Sequence, residues 1–127
     1  MAIKFNVIER GEPGVAGGGQ KKFYASTISD GEVNIEGLTK QIEKISTVSG
    51  ADIRAVLYSL VDILPDVLSE GKIARIGEIG YFRVSISSNG YENEADVNGA
   101  SVRNSKILFT PGPKLKNMLK TLEFKKS

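Results

Sequence analysis

The segment Gly71–Lys116 places the tightest limits on what this chain can fold into. Within it, Ile76-Gly77-Glu78-Ile79-Gly80-Tyr81-Phe82 sets two glycines three residues apart among large apolar side chains, and Phe109-Thr110-Pro111-Gly112-Pro113-Lys114-Leu115-Lys116 follows further on. Glycines in such a setting supply positive φ or a close backbone approach for a turn or bulge. Ile79, Phe82 and Phe109 then read as core residues of neighbouring strands. The pattern predicts strands over 72–75, 81–87 and 101–109, with 88–100 as a turn or arm. Proline is tolerated in a first helical turn, so a last helix is expected over 113–122.

Upstream the period changes. From Ile35, Leu38, Ile42 and Ile45 fall on one helical face, with Asn34 as an N-cap. Ser49-Gly50-Ala51-Asp52 resembles a capping box with Asp in place of Glu and opens a second helix. Its residues Ile53, Val56, Leu57, Leu60, Val61, Leu64, Val67 and Leu68 form a stripe too broad for one short helix to cover. Pro65 removes an internal hydrogen bond, which predicts a kink or break near Ile63, and Gly71 ends the helix.

Ahead of the helices, Ile3, Phe5 and Val7 alternate with polar neighbours, and Phe23 and Ala25 do the same within 21–28. Both segments read as strands of a hairpin. The intervening stretch Gly11–Gly19, with five glycines and Pro13, reads as a long flexible loop without a packed element.

With 127 residues, 40% of them hydrophobic, the chain has material for one core. Cysteine and histidine are absent, which removes disulfides, thiolate and imidazole metal sites, and Ser-His or Cys-His nucleophile pairs. Ala55–Leu68 is interrupted by Asp62 and Asp66 and is too polar to span a bilayer, and the N-terminus has no apolar signal core, so a cytoplasmic protein is expected. A net charge of +2 gives only a weak overall field, so any attraction to nucleic acid must come from local clustering. Such a cluster exists at the C-terminal end, where Lys106, Lys114, Lys116, Lys120, Lys125 and Lys126 are opposed only by Glu123. Taken alone it also fits a solvated helix face whose lysines complement the helix dipole.

Three motif-like stretches have plainer readings. Gly14–Lys21 approaches a phosphate-binding loop, but Gln20 stands where lysine is needed and a strand follows in place of a helix. Glu94-Ala95-Asp96-Val97-Asn98-Gly99 imitates half of a calcium loop, yet Ser105 occupies the position of the closing carboxylate, leaving a polar turn. The pairs Asp62 with Asp66 and Glu92 with Glu94 show no cleft and no reason for one carboxyl to differ from the other. No enzyme activity, small-molecule substrate or cofactor is expected.

The glycine and proline motifs resemble those of the HU and integration host factor family of bacterial DNA-bending proteins. That family carries Ile-Gly-apolar-Gly-X-Phe and, after an arm, Phe-Lys-Pro-Gly-X-X-Leu-Lys. Ile76, Ile79, Gly80, Phe82, Phe109, Pro111, Gly112, Leu115 and Lys116 fall on this signature, with Glu78 as one extra residue and Thr110 in place of the lysine. The resemblance implies an α+β, HU-like fold: two N-terminal helices, a three-stranded antiparallel sheet with a β-arm, and a C-terminal helix. Here a β-strand extension precedes it, giving a division into residues 1–33 and 34–127, as in a divergent HU-like group with an extra strand segment.

It further implies an intertwined homodimer whose second copy covers the broad helical stripe, and a nucleoid-associated, architectural or DNA-condensing protein that grips duplex DNA by its phosphates with little sequence preference. The residues carried onto that role are Lys72, Arg75, Arg83, Arg103, Lys106, Lys114, Lys116 and Lys120. The arm departs from the family, because Ser85 and Ser87 replace basic residues at its base, Glu92, Glu94 and Asp96 make it acidic, and it lacks the wedging proline. The alternative expectation is a protein-interaction or assembly module on the same fold that has lost DNA binding.

Overall fold

The computed structural model describes residues 2–127 as a mixed α+β chain with three helices and two small sheets. The strands are β1 (Ile3–Arg10), β2 (Lys22–Thr27), β3 (Ala74–Ile76), β4 (Gly80–Ser88), β5 (Val102–Pro111) and β6 (Phe124–Lys126). The helices are α1 (Ile35–Ile45), α2 (Gly50–Ser69) and α3 (Pro113–Lys120). They divide into two compact units, one comprising Ile35–Met118 and the other the chain up to Asn34 together with Leu119–Ser127.

In the larger unit, α2 begins where Ser49 accepts a hydrogen bond from the Asp52 N–H at 3.3 Å, satisfying one of the free amides of the first turn. Of the kink or break expected near Ile63, the break does not occur, and the helix runs on through Pro65. Proline removes only its own donor, and Leu64 and Leu68 on the same segment line an apolar hollow with Phe82, Val84 and Ile107 of the sheet, so packing holds the helix on either side of the missing bond. The helix ends at Gly71, whose φ of 79° suits a residue without Cβ and whose N–H bonds the Leu68 carbonyl at 3.0 Å. In α1, Thr39 is fully buried and returns its hydroxyl to the Ile35 carbonyl at 2.7 Å.

The sheet of this unit is the antiparallel meander β3-β4-β5. The β3–β4 turn brings the Ile79 N–H to the Ile76 carbonyl at 3.0 Å, and the Gly112 N–H bonds the Ile79 carbonyl at 2.7 Å. At this crossing a Cβ on Gly80 would strike the Thr110 carbonyl and one on Gly112 the Glu78 carbonyl, which is why both positions are glycine. The β4–β5 ladder continues outward from Gly80↔Pro111 to Ser88↔Val102 as a two-stranded arm, with a register shift between Ser87 and Ser88 that leaves Arg103 without a direct partner.

Two short 3-10 turns, Glu94–Asp96 and Gly99–Ser101, occupy the calcium-like stretch and its end, and one of its oxygens, Asn98 Oδ1, accepts from the Ala100 N–H at 2.9 Å while the Asn98 N–H donates to Ser101 Oγ at 3.0 Å. Buried apolar side chains among the described residues are few, namely Ile53, Leu68 and Ala74, all in this unit.

In the smaller unit β1 and β2 form the expected antiparallel hairpin, and its glycine loop contains a single 3-10 turn at Ala16–Gly18. The last helix stops at Lys120, two residues short of expectation, because the chain then turns into β6. That strand was not foreseen. It pairs parallel to β1 through Ile3↔Phe124, Lys4↔Lys125 and Phe5↔Lys126, so the three-stranded sheet β2-β1-β6 joins both ends of the described chain.

Candidate nucleic-acid interface

Directly opposed residues in a sheet share a face, so the register of β3-β4-β5 sorts its side chains without ambiguity. Ala74, Ile76, Phe82, Val84, Ile86, Ile107 and Phe109 lie on one face, where the rings of Phe82 and Phe109 pack with centroids 4.8 Å apart. This is the face that meets α2. The opposite face carries Arg75 beside Tyr81, Arg83 beside Leu108, and Lys106 beside Ser85. Three of the eight residues singled out from the sequence, Arg75, Arg83 and Lys106, are thus brought together, one from each strand, and all are exposed. Each faces a neutral partner across the ladder, so none is neutralised there.

The other five stand apart from this group. Lys72 precedes β3 and is held by Glu70 at 2.8 Å in an exposed pair, which contributes little to stability. Arg103 sits at the bulge and donates from Nη1 to Asn89 Oδ1 at 2.8 Å, fixing the start of the arm's tip. Lys114, Lys116 and Lys120 are all exposed on α3, with Lys116 and Lys120 one turn apart on one side and Lys114 on another.

Sequence reasoning overlooked Tyr81. The Arg75 guanidinium lies over its ring, 4.6 Å from the centroid. A cation–π contact of this kind stabilises by roughly 0.5–1 kcal/mol at an exposed site and fixes the direction of an otherwise mobile side chain. The signal was available in principle, since a hairpin centred on Glu78 pairs residue 75 with residue 81. Among the described residues no group of carboxylates is arranged to hold a metal ion, and no helix is long and apolar enough to cross a membrane.

A family model described as "HU domain fused to wHTH, Ig, or Glycine-rich motif" matches residues 1–126 of the chain. The chain belongs to this HU-HIG family. Its HU-HIG membership covers both compact units, so the N-terminal strands and β6 fall inside the family's extent. No curated protein matches the chain. Among solved structures, the chain is similar to one from Bacteroides vulgatus ATCC 8482, described there as a candidate bacterial DNA-binding protein, with a TM-score of 0.60 and 11% identity. The likeness covers 98% of this chain and 48% of that one, so this HU-HIG chain spans about half the length of its structural neighbour. At that identity the likeness is one of fold.

Proposed function

We propose that this chain is a non-enzymatic, HU-like DNA-binding protein that holds duplex DNA by its phosphates, with little base readout, as a homodimer. The observation that carries the reading is the cationic face of β3-β4-β5, where Arg75, Arg83 and Lys106 come together on the side away from α2. Membership of an HU-domain family supports DNA as the partner. Lys72, Arg103, Lys114, Lys116 and Lys120 supply further phosphate contacts in this proposal. These residues fall within 34–127, with 1–33 as the added extension, and the protein acts in the cytoplasm at the nucleoid as an architectural, DNA-condensing component.

Exposure of the α2 stripe supports the homodimer. Val56 is 67% and Ile63 54% exposed, and apolar hollows of about 370 and 220 Å³ open beside Val56, one lined with Ala55, Leu60 and Ile63 and the other with Ile42, Ile53 and Leu57. A stable soluble protein seldom leaves so continuous an apolar strip in water, and a second copy presents the complementary ridges.

The test is fluorescence anisotropy of a labelled duplex of ~30 base pairs, titrated at several salt concentrations with the native chain and with Arg75, Arg83 and Lys106 changed to Ala. Affinity that falls log-linearly with salt, with a slope shallower by about 0.9 for each phosphate that the variant no longer neutralises, supports the reading. Absence of binding at the lowest salt overturns it. The second reading, a protein-interaction module, draws on one feature: Ile35–Met118 carries ten basic and ten acidic residues, with Glu92, Glu94 and Asp96 gathered at the arm's tip. Capture of a basic protein by the arm, with no affinity for duplex, would favour it.

A further inference from the structure

The smaller unit holds the chain's entire net positive charge. The residues up to Asn34 with Leu119–Ser127 carry seven lysines and arginines against five acids, a net of +2, whereas Ile35–Met118 balances at ten against ten. The register of β2-β1-β6 shows where that charge goes. One face takes Ile3, Phe5, Val7, Glu9, Phe23, Ala25, Thr27, Phe124 and Lys126, and the other takes Lys4, Asn6, Ile8, Arg10, Lys22, Tyr24, Ser26 and Lys125, so four of the five cations in these strands share the second face.

On the polar face Lys4 stands directly opposite Lys125, and Arg10 directly opposite Lys22. Like charges in register are destabilising in a sheet, and this sheet has two such pairs, one at each end of β1. All four side chains are exposed. Among the described residues each pair has a single carboxylate bonded to it, Asp30 at 3.8 Å from Lys4 and Glu12 at 2.6 Å from Lys22, so each end retains an uncompensated positive charge. The Arg10 guanidinium is steadied over the Tyr24 ring, 4.9 Å from its centroid.

Lys4 and Arg10 are six residues apart, which in a strand is ~20 Å. Between them lie the hydrogen-bonding side chains Asn6, Tyr24 and Ser26 and no cation. Ile8, Tyr24 and Ser26 in the middle of this face are half-buried, while the four cations at its ends are exposed, and two exposed cationic clamps at that separation fit a stiff polyanion with evenly repeated charges, such as a duplex whose phosphates recur every ~3.4 Å along each strand. A peptide would have to be extended over about six residues and acidic at both ends to reach both clamps, whereas a duplex presents phosphates at every such spacing.

We infer that the polar face of β2-β1-β6 is a second phosphodiester-binding surface, in which Lys4 with Lys125 and Arg10 with Lys22 each grip the backbone of duplex DNA. This rests on the DNA reading above while using none of the same residues. It gives the N-terminal extension and β6 a shared purpose, because β6 supplies Lys125 to a clamp that the hairpin alone could not complete.

The experiment is the same salt-dependent anisotropy titration on the full chain, with three variants. The first changes Lys4, Arg10, Lys22 and Lys125 to Gln, and the second changes Lys4 and Lys125 to Arg. The third is Glu12→Gln, and circular dichroism verifies the fold of each. The expected result is that the Gln variant loses at least about tenfold in affinity at low salt and its salt slope shrinks by about 2. The Arg variant should bind as the native chain does, and Glu12→Gln, which frees Lys22, should bind more tightly.

A Gln variant that binds like the native chain, while changing Arg75, Arg83 and Lys106 weakens binding, overturns this inference and leaves the proposed function standing. The reverse pattern removes the β3-β4-β5 face from the proposed function and leaves this surface as the binding site. Displacement of the duplex from this surface by polyglutamate at equal charge concentration overturns the inference in favour of an acidic protein partner. If the Gln variant fails to fold, the Arg and Glu12→Gln variants decide, and unchanged affinity in Glu12→Gln counts against the inference.

Discussion

The two sheets each have three strands, yet they are assembled and charged in opposite ways. In β3-β4-β5 every pairing is between strands adjacent in sequence, and Arg75, Arg83 and Lys106 each face a neutral residue. In β2-β1-β6 one pairing joins the two ends of the described chain, and four cations face one another in two pairs. The meander is specified by its own turns. Glycines at 80 and 112 allow the backbones to cross, and the Phe82–Phe109 contact fixes which face meets α2. The other sheet depends on a three-residue strand reaching its partner across nearly the whole chain, which costs more loop-closure entropy and yields fewer hydrogen bonds. A sheet built from local pairings should therefore fail through a single backbone clash, and one closed by a distant tail should fail through loss of the tail.

The largest effect is expected from Gly112→Ala. Its Cβ would meet the Glu78 carbonyl, backbone against backbone, with nothing free to move aside. A destabilisation of about 3 kcal/mol or more is predicted, read as a lower midpoint of denaturant unfolding. A midpoint close to native would show that the crossing is looser than described and would weaken the contrast between the sheets.

Val56→Asp tests whether the larger unit needs a second copy as cover. A carboxylate placed on the exposed α2 stripe should raise the dimer dissociation constant by about 100-fold, equivalent to about 2.7 kcal/mol. Sedimentation velocity would show the shift to monomer, and an unshifted distribution would remove the dimer from the account.

Removing residues 123–127 should act on the other sheet alone. The truncation takes away the bonds from the Ile3 N–H to the Glu123 carbonyl and from the Ser127 N–H to the Phe5 carbonyl, both 2.8 Å. Amides of β1 should then exchange about tenfold faster while those of β4 and β5 hold their protection. Equal loosening of both sheets would contradict the separation into two units. The smallest effect belongs to Tyr81. Replacement by Leu should weaken duplex binding about two- to fivefold, and replacement by Phe should leave it intact, since the ring face and not the hydroxyl steadies Arg75. A double change with Arg75→Ala that is additive would show that Tyr81 does not act through the arginine.

Much of the larger unit was legible in advance. Ser49 as a cap, the period of α2, the stop at Gly71 and the close approach at Gly80 are short-range features, each decided by residues within about one turn or one hairpin. Of the kink or break expected near Ile63, the break did not form, because a missing backbone bond is a local cost whereas the packing of Leu64 and Leu68 against the sheet is a tertiary gain. Of the eight candidate contact residues, strand alternation was sufficient to put Arg83 on the face opposite Phe82. Grouping it with Arg75 and Lys106 required the register across three strands.

By itself the sequence determined the element order from β1 to α3, the cap at Ser49, the close approach at Gly80 and the apolar stripe, because these depend on the conformational limits of single residues and on side-chain period. The tertiary structure alone decided that Phe124–Lys126 would become a strand on β1, and that Lys4 would stand opposite Lys125 and Arg10 opposite Lys22. A three-residue segment has no period to read, and which charges meet across a sheet depends on a register fixed by distant parts of the chain.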